Sequence, residues 1–111
     1  MELQNDRHGD AAVLRLRGRL TIGAAAELKA AVDQVVAGGD TFVVVDLAET
    51  DFLDSSGLGA LVGGLRTARA AGGDLRIARA GDQVASVLEL TTMDRVLRPY
   101  PTVEDAVGDR P

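Results

Sequence analysis

Two adjacent hydroxyls, Ser55 and Ser56, stand in the stretch DFLDSSGLGALVGGL at 51–65. Asp51 and Asp54 precede them and a glycine-spaced apolar run follows. Three kinds of chemistry suit such a pair. The first is helix capping, in which a serine oxygen accepts from a first-turn amide and stabilises the helix by about 1 kcal/mol. One serine suffices for that, and no Glu or Gln follows at the capping-box position. The second is nucleophilic attack, which needs an imidazole within hydrogen-bond reach, held by a carboxylate. The only histidine, His8, lies in an N-terminal turn. Asp54 also occupies the place of the first glycine in a G-x-S-x-G elbow, so this reading is set aside. The third is phosphorylation. A phosphate of charge about −2 at a helix N-terminus meets exposed amides and the positive end of the helix dipole, so the fold can hold it. It would also repel an acidic partner surface, with Glu49, Asp51 and Asp54 adding to the negative field. Local chemistry permits this reading without singling it out.

The glycines carry two readings as well. Gly63 and Gly64 fit close packing of a helix on a sheet. Gly57 and Gly59, beside the serines, suit either such packing or the close approach of a partner's backbone.

The elements that must position this stretch are legible from periodicity. Glu2 to Arg7 suits a short edge strand, and His8 to Asp10 a turn. In AVLRLRGRL (12–20), Leu14, Leu16 and Leu20 point one way and Arg15, Arg17 and Arg19 the other, so a half-buried strand with a solvated arginine face is expected. From Ala24 to Val36 the spacing turns helical through Leu28, Ala31, Val32, Val35 and Val36, until Gly38 and Gly39 stop it. FVVVDL (42–47) is nearly continuous in apolar residues, as in a parallel strand covered on both faces. Helical spacing returns from Leu58 to Ala71 and ends at Gly72 and Gly73. Leu75 and Ile77 mark a strand; Val84, Val87 and Leu88 mark a helix. Arg95 to Tyr100 reads as extended, and Thr102 opens a last short helix with Asp105 in a capping-box-like position.

The order is β-β-α-β-α-β-α-β-α, an α/β fold with a mostly parallel or mixed sheet of four to five strands and about four helices. Functional loops gather beyond the carboxyl ends of strands in such a layout. The three expected are Gly18–Gly23, Ala48–Gly57 and Arg79–Asp82, and the double serine lies in the middle one.

Composition narrows the function classes. The 111 residues are 46% hydrophobic but only 3% aromatic, so Leu, Val, Ile and Ala must build one core in a single domain over 1–111. Cysteine is absent, which removes disulfides and thiolate metal sites; neither a metal nor a cofactor is expected. A net charge of −5 with scattered arginines argues against nucleic acid, whose binding rests on phosphate neutralisation. A protein partner or a small ligand is expected instead. No apolar run has bilayer-spanning length and no signal-peptide pattern opens the chain, so a cytoplasmic protein is expected.

Taken together, DFLDSSGLGALVGGL, the earlier GRLTIGAAAEL and the later LELTTMDRVLRPYPTVEDAV resemble the anti-sigma factor antagonists. These are the bacterial branch of the STAS domains (sulphate transporter and anti-sigma factor antagonist), and the resemblance spans essentially the whole chain. It implies a non-enzymatic protein whose unphosphorylated form binds an anti-sigma factor that is also a GHKL-type serine kinase, releasing a sigma factor. It further implies phosphorylation at Ser56, the serine immediately before the glycine, and reversal by a phosphatase. Asp54, Ser55, Gly57 and Leu58 would surround Ser56 in the partner-facing loop. Many family members carry an aspartate soon after the G-x-L of the second strand; here Thr21 follows Gly18, Arg19 and Leu20, offering the partner a hydroxyl instead. The alternative within the same family is a docking module of a signalling scaffold or lipid-transport assembly, without a phosphorylation cycle.

Overall fold

The computed structural model describes residues 1–108; residues 109–111, the end of the single unit expected above, lie outside the described residues. The chain forms β1 (Glu2–His8), β2 (Ala11–Leu20), α1 (Ile22–Ala37), β3 (Phe42–Leu53), α2 (Ser55–Ala70), β4 (Asp74–Ala78) and α3 (Asp82–Leu90). A 3-10 turn (Met93–Arg95), β5 (Pro99–Tyr100) and α4 (Val103–Gly108) follow. The strands lie side by side in chain order, β1 antiparallel to β2 and every later pair parallel. The expected order of elements is therefore the observed one, with the short turn added.

Alternation within each strand divides the core between the two faces of the sheet. Leu14, Leu16, Val43, Val45 and Ile77 pack with Leu28 and Val32 of α1, Leu61 and Leu65 of α2 and Leu88 of α3. On the other face Val13, Phe42, Val44 and Ala78 meet Val103 and Ala106 of α4. This is why FVVVDL is apolar almost without a break: both sides of β3 are covered at that level. Gly64 fits beneath its helix as close packing requires, since a Cβ there would lie 3.0 Å from Leu75 and 3.4 Å from Val32.

Boundaries differ from the sequence expectation where they bear on the site. β3 does not stop at Leu47 but runs on to Leu53, so the expected loop Ala48–Gly57 shrinks to Asp54. Two register shifts against β2, between Arg15 and Arg17 and between Gly18 and Arg19, break the two-residue period that would have revealed this extension. Thr50 faces inward there and donates its hydroxyl to Leu16 O at 2.9 Å. The Gly18–Gly23 loop likewise contracts to Thr21, and α2 begins at Ser55, three residues before Leu58. Only Pro99–Tyr100 of the expected 95–100 extended stretch is strand; Arg95 ends the 3-10 turn and Leu97 is buried. The last helix opens as expected, Thr102 Oγ1 accepting from Asp105 N–H at 3.0 Å.

The arginine face is not simply solvated. Arg15 reaches Asp46 at 3.4 Å and Asp6 at 3.7 Å, Arg17 pairs with Glu49 and Glu2, and Arg19 lies 4.4 Å over the Phe52 ring.

Candidate functional site: the first turn of α2

β2 and β3 end together, Leu20 paired with Leu53, and each hands over to a helix within one residue. Thr21 and Asp54 are those residues, and Asp54 N–H donates to Leu20 O at 3.4 Å. Thr21 and the serine turn are thus brought to one edge of the sheet, beyond the carboxyl ends of the strands.

Asp54, rather than either serine, caps α2. It has extended backbone (φ −106°), and its Oδ1 accepts from Gly57 N–H at 2.9 Å. Its carbonyl accepts from Leu58 N–H at 3.0 Å. The short carboxylate satisfies the first-turn amide that a serine hydroxyl had been considered for, so neither hydroxyl is the cap. Ser55 is exposed and Ser56 half-buried.

Gly57 looks inward. A Cβ there would stand 2.3 Å from Leu20 O and 2.6 Å from Leu53 Cδ1, so the backbone that approaches Gly57 is the chain's own. That corrects the reading of Gly57 as the approach point for a partner; it is buried beneath the turn. Gly59 is the outward glycine, with nothing within 4 Å of the place its Cβ would take. Leu58 is half-buried and packs against the main core.

Thr21 is half-buried at the N-cap position of α1 and makes no side-chain cap bond. Ile22, next along, is 77% exposed. His8 lies at the opposite end: it pairs with Ala11 at the start of β2, roughly 30 Å of strand away from Leu20. Ser56 therefore has no imidazole in reach. Among the described residues no cluster of three or more His, Cys, Asp or Glu is placed to hold a metal ion, and no helix is long and apolar enough to cross a membrane.

Two features of the structure escaped the sequence reading. Asp46, only 2% exposed, is bound by Arg79 through Nε at 3.1 Å and Nη2 at 2.5 Å, with Ala48 N–H at 3.1 Å. The hydrogen bond it donates to Asp46 pushes the Arg79 guanidinium pKa further above its already high ordinary value. An Asp inside an otherwise apolar strand was the available signal. The second is Gln83, in the first turn of α3, whose side-chain amide bonds both backbone groups of Leu53.

This arrangement, a capped helix start carrying two hydroxyls at the loop-bearing edge of a mixed sheet, coincides with a STAS domain model over residues 2–106. The chain belongs to the STAS domain family. It is 30% identical over 102 residues to the anti-sigma-F factor antagonist RsfB of Mycobacterium tuberculosis, spanning 90% of this chain and 81% of that protein. An anti-sigma factor antagonist from Mycobacterium paratuberculosis superposes with a TM-score of 0.85 at 26% identity, covering 96% of this STAS chain and 91% of its own. A Thermotoga maritima protein assigned as an anti-sigma factor antagonist superposes with a TM-score of 0.89 at 25% identity, covering 96% and 92%.

Proposed function

We propose that this STAS protein is a cytoplasmic anti-sigma factor antagonist switched by phosphorylation at Ser56. It is a binding protein, not an enzyme. In the unphosphorylated state the edge formed by Thr21, Asp54, Ser55, Ser56 and Leu58 docks on an anti-sigma factor that is also a GHKL-type serine kinase, and a sigma factor is released. Phosphoryl transfer to Ser56 places about two negative charges in that contact, beside Asp51 and Asp54, and docking ceases. A phosphatase resets the cycle.

The observation that carries this reading is the position of Ser56. It sits in the first turn of α2, half-buried and not the capping residue, on the edge it shares with Thr21. Exposed Ile22 supplies the apolar surface that a protein interface needs near its centre.

The test is incubation with a cognate anti-sigma kinase and ATP, followed by pull-down. The native chain gains one phosphate, Ser56→Ala gains none and still binds, and Ser56→Asp loses binding at least tenfold. Full modification of Ser56→Ala moves the acceptor elsewhere. Undiminished binding by Ser56→Asp favours a docking module without a phosphate cycle.

A further inference from the structure

The parallel ladder that supports β3 ends well before the switch residues do. β4 pairs with β3 only as far as Asp46↔Ala78, while β3 continues to Leu53. Successive residues of a strand send their backbone groups to alternate sides. Asp54 N–H turns toward β2, where it meets Leu20 O. The groups of Leu53 therefore turn the other way, toward the place a longer β4 would have filled. They are also withdrawn from solvent, since Leu53 is 1% exposed. A buried peptide group without a partner is costly, so something must replace the absent strand.

Gln83 does so. Leu53 N–H donates to Gln83 Oε1 at 2.8 Å, and Gln83 Nε2 donates to Leu53 O at 3.1 Å. A primary amide offers one acceptor and one donor side by side, as a neighbouring strand would. Glutamate lacks the donor and asparagine is shorter by a methylene. Both groups of Leu53 are held from α3, thirty residues further along the chain.

The geometry points to Gln83 as the positioning residue of the phosphorylation switch, an inference that rests on the function proposed above. Three ties then act in succession on the acceptor turn: Gln83 on Leu53, Leu20 O on Asp54, and the Asp54 carboxylate on Gly57. Ser56 lies between the last two. Only the first tie comes from an element outside the β2–β3–α2 unit, so α3 sets the orientation in which Ser56 is presented to its kinase.

The experiment compares wild type, Gln83→Ala and Gln83→Glu by native-state amide hydrogen exchange and by phosphorylation kinetics. In wild type a scalar coupling across the hydrogen bond links the Leu53 amide nitrogen to the Gln83 side-chain carbonyl carbon. In Gln83→Ala, exchange at Leu53 rises by about tenfold and Gly57 exchange rises with it, while Val43 to Val45 are unchanged. In Gln83→Glu the carboxylate still accepts from Leu53 N–H but opposes Leu53 O, so Leu53 stays protected while the turn shifts. In both variants kcat for Ser56 phosphorylation falls about tenfold with KM little altered, since docking surface is kept and orientation is lost. Unchanged Leu53 exchange in Gln83→Ala overturns the inference. So does faster exchange confined to Leu53, with Gly57 and kcat as in wild type. If no anti-sigma kinase modifies the wild-type chain, the proposed function falls by itself, and the Gly57 exchange still decides whether Gln83 positions the turn.

Discussion

A methyl group at residue 57 would need the space that Leu20 O and the Leu53 side chain already fill. Backbone oxygen cannot step aside as a flexible side-chain end can, so Gly57→Ala must lift the first turn of α2 from the strand ends. The expected cost is about 2 kcal/mol, typical of overpacking, read as a lower urea midpoint at unchanged m. A variant as stable as wild type would show that the turn does not sit down on β2 and β3 as described. The same turn shows the limits of reading single residues. Asp, Ser and Thr are all good caps, so DSS leaves the capping residue ambiguous until backbone position decides for Asp54. Gly57 and Gly59 look alike in sequence, yet one is buried against the chain's own carbonyl and the other faces open space.

At the scale of elements, the length of β3 places the site, and it was the least legible feature. AVLRLRGRL and FVVVDL announce their strands through alternation and unbroken apolarity. AETDF does not, because the register shifts put polar residues out of phase and hide the inward Thr50. Gln83 left no sequence signal, since its partner is backbone. Asp46 did leave one, and its pairing with Arg79 yields an asymmetric prediction. The Arg79 side chain is 45% exposed, whereas Asp46 is 2% exposed. Removing the carboxylate frees an arginine that can turn to water; removing the arginine strands a buried carboxylate with Arg15 and Ala48 N–H alone. Arg79→Gly, which tolerates the φ of +57° there, should cost about 2 kcal/mol, and Asp46→Asn about 1 kcal/mol, by chemical denaturation. Equal or reversed losses would mean that the pair is held by its exposed partner and not by its buried one.

For the whole molecule, one sheet serves two cores: α1, α2 and α3 pack on one face and α4 on the other. Val43 and Val45 belong to the first core, Phe42 and Val44 to the second, so neither can melt without the strand they share. A single cooperative transition is therefore expected, with far-UV and near-UV signals superimposed on heating. Two separated transitions would divide the chain into independent units. The order of elements was readable because helical and strand periods alternate cleanly. Which helices share a face was not, because that follows from crossovers and not from any local run.

The engagement of Asp54 with Gly57 and Leu58 has one more implication. Its carboxylate and carbonyl already hold two amides of the first turn, those of Gly57 and Leu58. A modified Ser56 would find those two donors taken, leaving part of its charge turned outward to the surrounding ions. Inhibition of that kind resembles a flag more than a latch: rising ionic strength should blunt it, and the domain beneath need not change shape to display it.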